Sequence, residues 1–260
     1  MTAVDATPVS TEVSGGVARI LLDRPSALNA VTVGLARSLE RSLLAAGEDP
    51  LVRVVLIRGA GGNFCAGGDV DEVGRLRSAG RESLRSLFDA FASACAAIET
   101  VAQPVVVAVE GAAMAGGFEL MQAADVALVR DDARICDNHV NVGMVPGGGG
   151  SQRLPRLVGR QRALGHLLSG ERLDGLEAVA WGLAYRSFAP EHFDAGVEAF
   201  VARLAGRSPE SLARIKHLVR AGLDGSLPAG LAAETDAVVE HIAGDAGADA
   251  FAGLRERRNR

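Results

Sequence analysis

The sequence predicts an α/β fold with a mainly parallel sheet, and three observations indicate it. Short runs of β-branched and apolar residues alternate with longer segments of helical periodicity, an order typical of parallel strands joined by helices. Of the 260 residues, 48% are hydrophobic, which is enough for a substantial core. This length suits one domain, or one domain with an appendage. We therefore expect an α/β core in residues 1–200 and a helical region in residues 201–260.

The strands are predicted from β-branched runs and from the turns that end them. Residues 1–15 are polar and expected to be frayed, so the first strand is predicted over 17–23. It ends at the turn that contains Pro25, because proline interrupts a strand. Further strands rich in β-branched residues are predicted over 52–58, 105–109 and 126–129.

Helices are predicted between the strands and through most of the last third of the chain. Thr32 suits the N-cap of a helix that reaches about Ala46, with Leu35, Leu39 and Leu43 at helical spacing. Residues 81–100 form a second long amphipathic helix, whereas the charged stretch 69–81 is predicted to be a loop. The remaining helical segments are predicted over 117–123, 160–168, 176–181, 190–204, 209–222, 227–242 and 246–257.

The stretch 112–122 is chemically the most informative, because a glycine pair opens a helix directly after a strand. Gly116 and Gly117 leave backbone N–H groups unshielded at an end where the helix dipole adds about half a positive charge. An oxygen that becomes negative during a reaction would be stabilised there. Glu119 lies about one turn further on, which brings it back toward the same end. The alternative interpretation is a tight turn with a surface glutamate.

A second glycine-rich loop, residues 61–69, also follows a predicted strand. Two loops that each offer one backbone N–H can form a two-donor oxyanion hole. Cys65 lies in this loop, and we interpret it as a packed thiol because no motif supplies it with a base.

Other motifs built from these residue types do not fit. Gly59 and Gly61 begin a dinucleotide-binding pattern, but Phe64 stands where a third small residue is needed. The four glycines at 147–150 lack the Gly-Lys-Ser/Thr of a phosphate loop, and Ser151 lacks a Gly-x-Ser-x-Gly frame. These glycines are interpreted as letting Ser151 start a helix close to other backbone. No group of Cys, His or carboxylate residues has metal-ligand spacing, so no metal site is predicted.

Charge and composition argue against several classes of protein. A net charge of −5 and a single lysine, Lys216, argue against nucleic acid as a partner. No apolar run approaches the roughly 18 residues of a membrane span. The N-terminus lacks the basic and apolar regions of a signal peptide. The three cysteines have no metal spacing and suit a reducing compartment, so a cytoplasmic location is expected.

Four blocks of sequence, in order, resemble the crotonase (enoyl-CoA hydratase/isomerase) superfamily. Phe-Cys-Ala-Gly-Gly-Asp at 64–69 and Ala-Gly-Gly-Phe-Glu-Leu at 115–120 resemble its two oxyanion loops. Residues 22–30 look like its CoA-contacting turn, and residues 143–154 are similar to the loop and helix that follow its second catalytic position. The resemblance extends over about residues 10–258. It implies a spiral of β-β-α repeats with a C-terminal helical trimerisation region.

The resemblance also implies roles for particular residues. Gly68 and Gly116 would supply the oxyanion N–H groups, and Glu119 would be the first proton-transfer residue. A CoA thioester would be the substrate, with no further cofactor. Ser26 stands where the family often has a basic residue, which removes one expected phosphate contact. The path of the CoA moiety would be lined, largely through backbone, by Ala27, Leu28, Ala66, Asp69 and Val70.

The second catalytic position departs from the family pattern. It falls on His139, where the hydratases usually have a glutamate, or on Asp137 if the register slips by two. Histidine, with a reference pKa near 6.5, can act as base or acid at neutral pH. The principal prediction is addition of water to an α,β-unsaturated acyl-CoA. A Glu–His pair also suits double-bond isomerisation, thioester hydrolysis or C–C cleavage, and a packed loop histidine is the structural alternative.

Two further expectations concern partners and substrate. The C-terminal helices have too few partners to form a domain of their own, so a homo-oligomer is expected, either a trimer or a dimer of trimers. A non-catalytic binding subunit is the alternative from another class, and the presence of Glu119 argues against it. The basic tail at 255–260 is interpreted as a solvated end, or as a contact with CoA phosphates. Residues 70–87, which shape the acyl pocket in the resembled family, have few aromatic residues and suggest a small or polar acyl group.

Overall fold

The computed structural model describes residues 7–244 and Gly247. The chain divides into two compact units, the first ending at Gly206 and the second beginning at Arg207. Residues 193–205 form one uninterrupted helix, and the division falls just after it.

The strands of the described residues all belong to the first unit. They are β1 (Val9–Ser14), β2 (Val17–Leu22), β3 (Val54–Gly59), β4 (Val105–Val109), β5 (Ala112–Met114), β6 (Val126–Arg130), β7 (Arg134–Cys136) and β8 (Arg186–Phe188). A six-stranded sheet has the order β1-β2-β3-β4-β6-β8, and β5 pairs with β7 in a second sheet. Only the β1–β2 pair is antiparallel, so the predicted parallel pairing is confirmed for the core of the sheet.

The helices of the first unit are α1 (Val33–Glu48), α2 (Val70–Ser78), α3 (Arg81–Thr100), α4 (Gly116–Ala123), α5 (Gly150–Val158), α6 (Arg160–Ser169), α7 (Gly175–Trp181) and α8 (Phe193–Ala205). Among the residues described up to Gly244, those of the second unit are α9 (Pro209–Asp224) and α10 (Leu227–Ala243). The predicted N-cap of α1 is confirmed, because the Thr32 hydroxyl accepts the Leu35 N–H at 3.0 Å.

A β-β-α order recurs along the first unit. It is seen in β1-β2-α1, in β4-β5-α4 and in β6-β7-α5, the last with a 3₁₀ turn over His139–Val142 before the helix. In the latter two repeats, the first strand joins the large sheet and the second joins the small one. The small sheet therefore carries the chain from the end of the large sheet into the helices that follow.

Both faces of the large sheet are buried. Along β3, Val55 and Ile57 pack into a cluster with Leu39 of α1. Val54 and Leu56 face the other way and pack in a second cluster with Phe193 and Val197 of α8. Burial on both faces is why the central strands read as continuous apolar runs rather than alternating ones.

The expectation of a frayed N-terminus is wrong for Val9–Ser14, which form β1. This edge strand has one buried residue, Val9, so no apolar alternation marks it in the sequence. It is held by backbone pairing with β2. Residues 1–6 lie outside the described part of the chain.

The prediction of a loop over 69–81 is also wrong, because this stretch contains α2. Asp69 is its N-cap and accepts the Glu72 N–H at 3.0 Å. Asp71 and Glu72 in the first turn, with Arg75 and Arg77 in the last, complement the helix dipole. Only Leu76 of α2 is buried, so the helix has no apolar stripe to predict it from.

The three-residue strands β5, β7 and β8 were not predicted, since they are shorter than any run that periodicity resolves. The helix predicted over 246–257 lies, apart from Gly247, outside the described residues.

Candidate active site

The two glycine-rich loops lie directly against each other. The Cys65 N–H donates to the Ala112 carbonyl at 2.9 Å, and the Met114 N–H donates to the Cys65 carbonyl at 3.0 Å. A Cβ atom on Gly117 would lie 2.0 Å from the Cys65 oxygen, so this approach requires glycine. The fold thus brings together the two loops that sequence analysis paired.

The start of α4 is held in an uncommon backbone conformation. Ala115 has φ 47° and ψ −117°, values that cost about 1–3 kcal/mol and persist only where surrounding contacts enforce them. Its N–H donates to the Cys136 carbonyl of β7 at 2.9 Å. This contact anchors the turn from which the Gly116 N–H projects.

The two predicted oxyanion donors are Gly68 and Gly116. Within residues 7–244, neither N–H donates to a protein acceptor. A Cβ on Gly116 would lie 3.6 Å from Gly67 Cα, which shows how close the loops are. Gly116 is buried, whereas Gly68 is exposed.

Glu119 is buried in the first turn of α4, with 2% of its surface exposed. Its Oε1 accepts the Gly148 N–H at 2.7 Å and the Gly150 N–H at 2.9 Å. Burial raises the pKa of the carboxyl above its usual value, although both N–H groups and the nearby His139 oppose that shift. The glycine run at 147–150 therefore holds a carboxylate, a partnership that sequence analysis missed.

His139 is paired with the residue that sequence analysis kept as its alternative. Its Nδ1 lies 2.6 Å from Asp137 Oδ1. Asp137 is 1% exposed, whereas the His139 side chain is 16% exposed. Burial lowers the pKa of His139, but the hydrogen bond and charge of Asp137, together with the charge of Glu119, outweigh burial and leave the pKa raised.

His166 of α6 supports this turn and was not singled out by sequence analysis. Its Nε2 accepts the Asp137 backbone N–H at 3.1 Å. The ring is buried and packs 5.3 Å from the Phe118 ring and 5.9 Å from the Trp181 ring. Burial lowers its pKa despite the charges of Asp137 and Glu171, so His166 is a neutral acceptor here.

The five residues predicted to line the CoA path lie along two adjoining segments. The Ala66 N–H donates to the Leu28 carbonyl at 3.0 Å, which joins the turn containing Ala27 and Leu28 to the first glycine loop. Asp69 caps α2 and pairs with Arg24 at 2.8 Å. Val70, at the start of α2, is 82% exposed and Leu28 is 44% exposed. These two segments therefore carry exposed apolar side chains, and their role in lining a CoA path stays a prediction.

Asn29, also missed by sequence analysis, fixes the same junction. It is fully buried, and its Nδ2 donates to the carbonyls of Ala60 at 2.9 Å and Asn63 at 2.7 Å. Its Oδ1 accepts the Arg24 N–H at 2.9 Å. One amide side chain thus ties the N-terminal turn to the loop that carries Gly68.

Cys65 is a packed thiol, as interpreted from the sequence. It is fully buried, and burial raises its pKa to about 11, so it carries no thiolate at neutral pH. In the part of the chain that the structure describes, no three His, Cys, Asp or Glu side chains cluster as metal ligands would. None of the described helices is both long and apolar enough to cross a membrane.

Comparisons with known proteins identify a family. The family model described as "Enoyl-CoA hydratase/isomerase" matches residues 12–259. The peroxisomal Delta(3,5)-Delta(2,4)-dienoyl-CoA isomerase of Arabidopsis thaliana is 30% identical over 225 residues, 83% of this chain and 81% of the relative.

Solved structures show the same likeness. A crystal structure of an enoyl-CoA hydratase from Polaromonas sp. JS666 has a TM-score of 0.92 at 28% identity, covering 96% of this chain and 97% of that one. The Bacillus anthracis enoyl-CoA hydratase has a TM-score of 0.91 at 27% identity, covering 96% of each chain.

The chain therefore belongs to the enoyl-CoA hydratase/isomerase family and has the crotonase fold. The predictions of a spiral α/β fold and of a crotonase-type enzyme are confirmed. The roles of the individual site residues remain predictions.

Proposed function

We propose that the protein adds water across the double bond of an α,β-unsaturated acyl-CoA, with Glu119 and His139 as the proton-transfer pair. One observation carries the proposal. A buried carboxylate, held by two backbone N–H groups, acts electrostatically on a histidine whose Nδ1 is engaged by Asp137. The N–H groups of Gly68 and Gly116, on loops that touch, supply the oxyanion donors that the reaction needs.

The contacts favour Glu119 as the base and His139 as the acid in the two proton transfers. The anion of Glu119 is the form that accepts two N–H groups, and the imidazolium of His139 is the form that two carboxylates stabilise. Glu119 then takes a proton from water as the water oxygen bonds to the β-carbon of the substrate. The electrons of the double bond move onto the thioester oxygen, and His139 gives its proton to the α-carbon.

Isomerisation is the second candidate, because the Arabidopsis relative is named as a dienoyl-CoA isomerase. It needs the same stabilised enolate, with one group removing a proton and returning it elsewhere.

Hydrolysis is favoured by a different observation: an Asp–His pair resembles a general-base arrangement. C–C cleavage needs a similar base. A non-catalytic binding subunit has the least support, since Glu119 is built into the site by two hydrogen bonds.

A panel of enoyl-, hydroxyacyl- and β-ketoacyl-CoAs, with products identified by mass spectrometry, tests the proposal. We expect an enoyl-CoA and its 3-hydroxyacyl-CoA to interconvert. Glu119→Gln preserves the shape of the side chain but removes its charge, so turnover should fall by about 100- to 10,000-fold. Binding of the CoA ester should change little. Free acid, or a shortened acyl-CoA, as the main product would instead support hydrolysis or cleavage.

The proposal extends to the surroundings of the site. We place the CoA moiety along Ala27, Leu28, Ala66, Asp69 and Val70, where the two segments are joined by backbone hydrogen bonds. We also propose a cytoplasmic enzyme that works as a homotrimer or dimer of trimers, with the second unit as the oligomerisation region. Support for the last point is that α9 and α10 contain no buried residue.

A further inference from the structure

We propose that Asp137 is a positioning residue that fixes the ring of His139 for proton transfer, an inference that rests on the proposed function of the site. Asp137 and His139 are only two positions apart, and either could have been the second catalytic group on sequence alone. The structure distinguishes them by burial, since Asp137 is 1% exposed and the His139 side chain is 16% exposed. The histidine is thus the member of the pair that can reach a substrate.

One carboxylate oxygen of Asp137 engages His139 through both ring and backbone. Oδ1 lies 2.6 Å from the ring Nδ1 and 3.4 Å from the backbone N of His139. Contact with Nδ1 fixes the proton on that nitrogen in the neutral ring. It therefore leaves Nε2 as the nitrogen that faces the reacting atoms.

The surroundings of the other carboxylate oxygen of Asp137 show why this buried carboxylate depends on His139. Oδ2 is buried and has no hydrogen-bond partner among the residues that the structure describes. A buried carboxylate needs a compensating charge or donor, and the imidazole of His139 is the side chain that provides it. Asp137 thereby favours the charged ring, which is the form proposed to donate to the α-carbon.

The orientation of Asp137 is set by the fold. Its N–H is held by His166 of α6, and the preceding carbonyl, that of Cys136, accepts the Ala115 N–H at the start of α4. The absence of a side chain at Gly150 leaves room for both carboxylates. A Cβ there would lie 2.9 Å from Asp137 Oδ2 and 3.2 Å from Glu119 Oε1.

The charges that act on His139 come from two elements. Asp137 belongs to the same turn, and Glu119 acts from α4. Arg153 of α5, the nearest helix in sequence, is turned toward the Gly148 carbonyl at 2.8 Å and Glu99 at 3.0 Å. Loss of the Asp137 charge should therefore leave Glu119 as the principal remaining influence on the ring.

Asp137→Asn tests the proposal in the full-length protein. We expect kcat for a short-chain enoyl-CoA to fall by about 100-fold or more, with KM within about threefold. Asp131→Asn is the matched control, because Asp131 also has a buried oxygen without a partner among the described residues but is not one of the charges that act on His139. That control should behave like the wild type. Wild-type kcat in Asp137→Asn would overturn the proposal.

NMR titration of the histidine rings gives a readout independent of turnover, with His139→Ala used to assign the signal. In the wild type we expect the His139 pKa above its ordinary value and the neutral ring protonated on Nδ1. In Asp137→Asn the His139 pKa should fall. A neutral wild-type ring protonated on Nε2 would contradict the proposal even if the variant failed to fold. If the wild type hydrates no enoyl-CoA, the proposed function fails, while the NMR result still decides whether Asp137 positions His139.

Discussion

At the scale of single residues, the central feature is a histidine that is hydrogen-bonded to one carboxylate and acted on by the charge of a second. Asp137 and Glu119 both stabilise the imidazolium of His139, so its pKa is raised above 6.5 although burial acts in the opposite direction. Burial likewise raises the pKa of Glu119 above 4.5. Both pKa values are raised, which suits groups that exchange protons with a substrate near neutral pH.

These two shifts predict a bell-shaped pH dependence of kcat. Activity requires ionised Glu119 and protonated His139, so the rate should fall below the raised pKa of Glu119 and above the raised pKa of His139. His139→Ala should reduce turnover by about 100-fold or more and should lack the alkaline limb. Steady-state rates from pH about 4.5 to 9 check this. Full activity in His139→Ala, with none in Asp137→Asn, would make Asp137 the catalytic group instead.

The hydrogen-bond partners of Glu119 could not be predicted from the sequence. Glu119 was predicted from its place one turn after a glycine pair, which is local information. Its hydrogen bonds to Gly148 and Gly150 join positions about thirty residues apart, and no spacing rule encodes them. The interpretation of the four glycines as a helix start was right, since α5 begins at Gly150, but their role in holding Glu119 needed the tertiary structure.

At the scale of elements, α4 is the helix that the site depends on. Its first N–H, from Gly116, is proposed to face the thioester oxygen. Proline lacks the N–H, so Gly116→Pro should cost on the order of 3 kcal/mol of transition-state stabilisation, or about a hundredfold or more in kcat. Kinetics together with circular dichroism check this. A folded variant with turnover within about threefold of wild type would exclude this donor.

Helix α6 contributes a pH-dependent term to stability through His166. Its pKa is lowered in the folded protein, so the unfolded chain takes up the proton first as pH falls below about 6.5. The stabilising contribution is thus complete above that pH and is lost as pH falls toward the folded pKa. The free energy of unfolding in urea, compared between wild type and His166→Gln from about pH 7.5 to 5.5, measures it.

We expect the unfolding free energy of the wild type, relative to that of His166→Gln, to decrease as pH falls, by up to about 1.4 kcal/mol per pH unit. His139, whose pKa is raised, contributes with the opposite sign above about pH 6.5, within the same experiment, which is why the two proteins must be compared at each pH. A difference that does not change with pH would show that His166 is not a buried neutral acceptor.

Elements with strong local signals were predicted well, and the others failed for identifiable reasons. The helix over Arg81–Thr100 and the strand over Val105–Val109 have long apolar patterns, and both were predicted with the bounds observed. Only Val9 of β1 and only Leu76 of α2 are buried, so neither element has a hydrophobic pattern in the sequence. Backbone pairing holds β1, and side-chain capping stabilises α2. The spiral itself could not be derived from periodicity, because its repeats share an order of elements and no repeated sequence.

At the scale of the whole molecule, the described helices of the second unit have several large apolar side chains that are exposed. Leu223 is 78% exposed, Leu227 74%, Val239 61% and Val219 59%. Such faces usually mark contacts with other proteins. We predict that light scattering at micromolar concentration shows a trimer or a hexamer. Replacing Val219 and Leu223 with glutamate should shift the population toward monomer, whereas a stable wild-type monomer would contradict the prediction.

The most direct test of the central claim is the fate of labelled water. Incubation of the wild type with a short-chain enoyl-CoA in ¹⁸O-labelled D₂O, followed by mass spectrometry, should give a 3-hydroxyacyl-CoA with ¹⁸O at the β-carbon and deuterium at the α-carbon. Glu119→Gln and His139→Ala should form this product at least about 100-fold more slowly. Unchanged or merely deuterated enoyl-CoA, or ¹⁸O found in a free carboxylic acid, would contradict the claim that this Glu–His site hydrates enoyl-CoA.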